Sequence, residues 1–157
     1  MARAQCIVHR KNKLLMAKHR DRGEEWWCLP GGGVEEGETP AEAAIRELKE
    51  ECCVDGTVIR EIGFVAYSLR DRAYTFLVDI GDQTPRIGTD PELPETNQAL
   101  VSVKWLTLSE IPERDRAFLW AAGLLDVKEF FAEVSSWGDS ISYPAPVAQQ
   151  AKGRHEL

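Results

Sequence analysis

Apolar residues cluster and alternate over residues 4–10 and 13–19, with Lys11-Asn12 between them, which predicts two strands joined by a tight turn. After the charged residues 20–25, Trp26-Trp27-Cys28-Leu29 reads as a short strand stopped by Pro30. Gly31-Gly32-Gly33 follows and is expected as loop, being too flexible for the interior of a helix or strand. Residues 39–51 carry the clearest helical pattern, with Ala41, Ala44, Ile45 and Leu48 forming an apolar stripe. Thr39 suits the N-cap, Pro40 the first helical position, and Glu42 completes a capping box. Two more strand-like runs, 58–69 and 73–80, flank Arg70-Asp71-Arg72 as the expected hairpin turn. Residues 81–97 read as a long loop, 99–106 as a strand, and Ser109-Glu110-Ile111-Pro112 opens a helical region that breaks at Gly123 and runs to about residue 135.

This order of elements predicts an α/β domain with helices packed on a mixed sheet, over residues 1–137. Residues 138–157, with Pro144, Pro146 and Gln149-Gln150, read as a loosely structured tail. At 157 residues and 43% hydrophobic, the chain has enough material for one core. No apolar run approaches the roughly eighteen residues of a membrane span, and His9 and Arg10 interrupt the short apolar start, so no membrane association and a cytoplasmic location are expected. Cys6, Cys28, Cys52 and Cys53 form no C-x-x-C pair and no zinc-finger pattern, and they are expected as reduced thiols. A net charge of −7 without a dense basic cluster disfavours large nucleic acids, and leaves small anions whose charge a metal ion would screen.

The chemistry concentrates in Arg46-Glu47-Leu48-Lys49-Glu50-Glu51. Helical spacing puts Glu47, Glu50 and Glu51 on one face, close to a helix C-terminus where the dipole also disfavours anions. Each such conflict costs about 0.3–1 kcal/mol. Two readings follow, a solvated acidic face or a site for a hard divalent cation such as Mg²⁺.

The wider window resembles a known motif. Gly32, Glu38, Arg46-Glu47-Leu48, Glu50-Glu51 and Val54 match the Nudix box, G-x5-E-x7-R-E-U-x-E-E-x-G-U with U a bulky aliphatic. Trp27-Cys28-Leu29-Pro30-Gly31-Gly32 is similar to the W-x-L-P-G-G that often precedes the box, and Trp105-Leu106-Thr107-Leu108-Ser109-Glu110-Ile111 to the family's late strand and helical turn. One position departs, since the box glycine after the glutamate pair is Cys53 here. Either Cys53 takes the left-handed conformation a glycine would favour, or the helix ends differently, turning at Asp55-Gly56.

The resemblance implies a Nudix-type α/β/α sandwich and a pyrophosphohydrolase acting on a small nucleotide-like substrate, monomeric or homodimeric. It implies that Glu47, Glu50 and Glu51, with a glycine carbonyl at Gly31 or Gly32, bind Mg²⁺, with Mn²⁺ as the alternative. Arg46 would hold Glu47, and Glu38 would brace the loop. The general base would be Glu47 or a glutamate of the late loop, Glu92 first and Glu95 second. Trp26 offers a face for a nucleobase, with core or surface packing as its other reading. Arg20 and Arg70, like Arg22 and Arg72, offer cations for phosphates. His9 and His19 have no partner at ligand spacing and are expected on the sheet surface.

Substrate markers of several Nudix subgroups are missing near Arg70, so the resemblance to (d)NTP pyrophosphatases is reached by elimination. Two rival readings are a Nudix-fold sensor that binds a nucleotide metabolite without cutting it and an isomerase of isoprenoid diphosphates. Retention of every box glutamate weighs against the sensor.

Overall fold

A computed structural model of the chain describes residues 2–66, 68, 71–89, 99–128 and 131. The strands are β1 (Ala2–Ile7), β2 (His9–Arg10), β3 (Lys13–Asp21), β4 (Glu24–Cys28), β5 (Gly31–Gly33), β6 (Thr57–Ala66), β7 (Arg72–Asp79) and β8 (Leu100–Thr107). The helices are α1 (Pro40–Cys52) and α2 (Glu113–Ala121), with short 3-10 turns at Leu108–Glu110 and Leu124–Asp126.

The strands divide into two sheets. One has the order β5-β1-β7-β6 and is mixed, because β1 and β7 run parallel while β5 and β6 pair antiparallel at its edges. In the other, β3 pairs antiparallel with β2, β4 and β8.

Strand alternation explains how both faces become covered. Ala4 and Cys6 of β1, Phe76 and Val78 of β7 and Leu15 of β3 pack with Ala43, Ala44 and Leu48 of α1. The intervening residues Ile7, Leu77, Leu14 and Met16 point the other way, into a second cluster with Leu119 of α2 and the buried Leu108, Ile111 and Leu124. Each helix therefore covers a different face, giving the α/β/α layering. A side-chain bond ties α2 in place, with the buried Asp115 accepting from the Trp27 backbone N–H at 3.0 Å.

The N-cap of α1 is Thr39, whose hydroxyl accepts from Glu42 N–H at 3.1 Å while Glu42 accepts from Thr39 N–H at 3.3 Å, the reciprocal box read from the sequence. The break at Gly123 is also present, with φ 94°. Two expectations need correction. Gly31–Gly33 is strand rather than loop, pairing with β1 from Arg3↔Gly33 to Gln5↔Gly31. The sheet needs glycine there, since a Cβ on Gly31 would sit 2.4 Å from the Ala4 carbonyl oxygen. Strand β6 ends at Ala66, and Arg72, expected in the turn, opens β7. Arg70, Glu92, Glu95 and the expected tail 138–157 lie outside the described residues. Among the described residues no helix is long and apolar enough to cross a membrane.

Candidate active site

The C-terminal half of α1 carries the site, and its end is unusually fixed. Cys53 adopts φ 58° and ψ 34°, the left-handed C-cap, and its N–H reaches the Lys49 carbonyl at 3.0 Å. Two other terminal carbonyls, which a helix leaves without internal partners, are met by the chain that follows β7. Arg86 N–H donates to the Cys52 oxygen at 3.0 Å and Gly88 N–H to the Glu51 oxygen at 2.8 Å. Only a glycine fits at position 88, because a Cβ would lie 1.8 Å from the Glu50 carbonyl oxygen.

Within that frame Glu47, Glu50 and Glu51 line one wall of a cavity of about 550 Å³. Strand β5 forms an adjoining wall, close enough that a Cβ on Gly32 would meet the Glu47 carboxylate at 2.4 Å. Glu51 is 93% removed from solvent, with 7% exposed, yet both its oxygens have partners. One accepts from Gly31 N–H at 2.8 Å, and the other lies 3.2 Å from His19 Nε2.

Arg46 organises the other carboxylates. Its Nη1 donates to Glu47 at 3.0 Å and to Glu50 at 3.3 Å, and its Nη2 to the Gly33 carbonyl at 2.9 Å. Glu38 receives a fork from the same guanidinium, at 2.7 Å from Nη2 and 3.1 Å from Nε, and also caps Glu35 N–H at 2.8 Å. The Arg46 bond holds the Glu38 carboxyl below its ordinary pKa, with the Glu35 N–H adding to it. Burial pushes the Glu47 carboxyl up; the Arg46 bond opposes this, and the nearby charges of Glu51 and Glu50 reinforce it. Burial thus outweighs the arginine beside Glu47.

The residues expected at the site separate into three groups. Glu47, Glu50, Glu51, Arg46, Gly31, Gly32 and Trp26 all line the cavity, and Glu38 stands behind Arg46. Arg20 is not among the lining residues, since its guanidinium turns to Glu25 at 3.3 Å on the neighbouring strand. Arg70 and Glu92 lie outside the described residues.

His19 is the correction of most consequence. Expected on the sheet surface, it lines the cavity and pairs with Glu51. Burial opposes its protonation, but hydrogen bonds to Cys28 and Glu51 outweigh that and push its pKa up to about 10. The signal lay in the alternation of β3, because Leu15, Ala17 and His19 fall on one strand face and Leu15 packs toward α1. A register shift between Lys18 and His19 in the pairing with β8 marks the same place, and bulges commonly re-aim side chains beside active sites. Cys28, also among the lining residues, was read only as a packed thiol.

A smaller recess of about 60 Å³ shares His19, Glu47, Glu50 and Glu51 and adds Thr89, Ala99 and Leu100. Thr89 and Ala99, far from the helix in sequence, therefore meet at the same carboxylates.

A family model described as the NUDIX domain matches residues 1–126. An RNA pyrophosphohydrolase of Pelagibacter ubique is 37% identical over 65 residues, which cover 40% of this chain and 41% of that protein. A putative mutator protein MutT4 of Mycobacterium tuberculosis is 30% identical over 100 residues, covering 64% of this chain and 40% of that protein. The chain thus spans about two fifths of the length of these relatives. Among solved structures, a C. elegans Ap4A hydrolase shares the fold with a TM-score of 0.63 at 19% identity, over 84% of this chain and 98% of that one.

Proposed function

The chain belongs to the NUDIX domain family, and from that premise we propose that it is a divalent-metal-dependent hydrolase cutting a diphosphate linkage in a small nucleotide-like substrate. The observation that carries this reading is the placement of Glu47, Glu50 and Glu51 together on the wall of one cavity. The names of the relatives, an RNA pyrophosphohydrolase among them, support it.

The donor set fits the metal in kind. Carboxylate and carbonyl oxygens are the hard ligands that Mg²⁺ and Mn²⁺ take, and Glu47, Glu50 and Glu51 bring three carboxylates to one cavity wall. Among the described residues no three acidic, His or Cys side chains already converge on one point, because Arg46 and His19 hold the carboxylate oxygens. Glu47, Glu50 and Glu51, with the Gly32 carbonyl, are the residues that would hold the ion. When bound, it neutralises charge building on the phosphoryl oxygens and lowers the pKa of its water.

The chain's own residues supply the rest. Arg46 orients Glu47 and Glu50, and Glu38 fixes Arg46 through its forked bond. His19 and Gly31 hold Glu51 from two directions. Glu47, half-buried and raised in pKa, is suited to accept a proton from an attacking water. Glu92 is the alternative base, lying in sequence between Thr89 and Ala99, which line the recess beside Glu47. A nucleoside triphosphate or related small nucleotide is the substrate reading, and the protein acts as a monomer or homodimer in the cytoplasm.

The test is a panel of nucleoside triphosphates, dinucleoside polyphosphates and nucleotide sugars, each incubated with Mg²⁺ and followed by chromatography for loss of substrate and appearance of the nucleotide product. Turnover of at least one supports the proposal. Tight binding without turnover of any would favour the sensor reading instead.

A further inference from the structure

The three carboxylates on the cavity wall are held by two different clamps. Arg46, from the same helix, reaches Glu47 at 3.0 Å and Glu50 at 3.3 Å. Glu51, the buried one of the three, is held from other elements. The Gly31 N–H of β5 donates to its Oε1 at 2.8 Å, and His19 Nε2 of β3 lies 3.2 Å from its Oε2. A carboxylate offers about four lone-pair sites on its two oxygens, so each of these bonds fills one site and leaves another for an ion. One donor at one oxygen lets the carboxylate swing about that bond. A second donor at the other oxygen fixes its plane.

The imidazole is itself fixed on its other sides. Trp26 stands opposite it in the β3–β4 register, and the two rings stack at 6.1 Å between centroids with 18° between their planes. The Cys28 side chain hydrogen-bonds to the same ring. A donor locked by its neighbours holds its partner more firmly than a mobile one, because little of its freedom is left to lose. Water competes poorly for this contact, since the His19 and Glu51 side chains are only 21% and 10% exposed. A histidine that merely filled the sheet surface would turn this nitrogen to solvent, and here it faces the carboxylate.

We propose that His19 is a positioning residue for the metal site: its N–H holds Glu51 in the orientation that receives a divalent cation, so that affinity for the ion depends on a strand residue outside the acidic helix. The inference rests on the reading of Glu51 as a ligand and adds to it the group that makes Glu51 effective. His19 touches neither the ion nor the substrate and acts through Glu51 alone. Hydrogen-bonding partners that orient a metal ligand typically contribute about 10- to 100-fold in metal affinity.

The experiment titrates Mn²⁺ alone into the full chain, with the free ion followed by electron paramagnetic resonance. Glu51→Gln marks the site, as the Mn²⁺ binding that this change weakens. His19→Phe keeps a flat ring against Trp26 but has no N–H, and it should weaken that binding about 10- to 100-fold. His19→Gln, whose amide N–H can reach the same oxygen, should restore it to within about threefold of the unaltered protein. His19→Leu should behave like the phenylalanine variant and replaces it if that protein does not fold. Unchanged Mn²⁺ affinity in the variants without a donor, or an equal loss in the glutamine variant, would overturn the positioning role. Binding of α,β-methylene-ATP at saturating Mn²⁺ is followed in parallel. Weaker binding of this analogue with Mn²⁺ affinity unmoved would make His19 a substrate contact and likewise overturn the inference. An unaltered protein that binds no Mn²⁺ would remove the metal reading and the positioning role together. His19-dependent Mn²⁺ binding without turnover of any substrate keeps the positioning role and removes the hydrolase.

Discussion

Cys53 holds a conformation that suits it poorly. Its φ of 58° belongs to the left-handed region, where a side chain with a Cβ costs roughly 1–2 kcal/mol. Cys53→Gly removes that cost but gives back some backbone entropy, so a gain of about 1 kcal/mol is expected. For a protein of this size that is a melting temperature about 2–4 °C higher. A fall of several degrees would mean that the helix runs on through position 53. Glu51 is the residue on which the metal reading depends most. Glu51→Gln keeps an acceptor for Gly31 N–H but loses the charge, so the fold should survive while kcat falls by more than tenfold. Retention of over a tenth of the activity, a barrier change below about 1.4 kcal/mol, would remove Glu51 from the ligand set. The glutamates were legible because helical spacing puts them on one face whatever surrounds them. His19 was not, since its role depends on the β3–β4 and β3–β8 registers and on which sheet face α1 covers, and those are tertiary facts.

At the scale of elements, α1 is fastened at both ends, and each fastening makes a prediction. Thr39→Ala deletes half of the capping box and should cost about 1 kcal/mol, read as a lowered midpoint in urea. An unchanged midpoint would show that tertiary packing alone fixes the helix start. Gly88→Ala should be worse, by about 1–3 kcal/mol, since it forces the chain off the Glu51 carbonyl and leaves a helix-end acceptor unmet. It should also lower activity, because Thr89 beside it lines the recess at the glutamates. Wild-type stability in this variant would show that the contact is dispensable. The capping box could be read from Thr39 and Glu42 because it is local chemistry. The strand at Gly31–Gly33 could not, because its reason is the close approach of β1 on one side and Glu47 on the other. A glycine run carries no mark distinguishing freedom from tight quarters.

At the scale of the whole molecule, alternating strand faces send α1 and α2 to opposite sides, so that the acidic end of α1 is left facing a cavity instead of a core. In an acidic chain of net charge −7, that opening is lined by the carboxylates of Glu35, Glu47, Glu50 and Glu51 together with Arg3, His19 and Arg46. Such an arrangement is poor for binding an anionic diphosphate until a cation enters, which is the central claim. The layering followed from the order of strands and helices, but the division of the strands into two sheets did not, because pairing partners distant in sequence leave no local pattern. The most direct test is the rate of nucleotide product formation from the best substrate of the panel, measured as Mg²⁺ is removed with excess EDTA and then restored, with the melting temperature followed alongside. The rate should fall to background in EDTA and return with Mg²⁺ or Mn²⁺, while the melting temperature stays within a few degrees because neither core is built on the ion. Full turnover in excess EDTA would contradict the account.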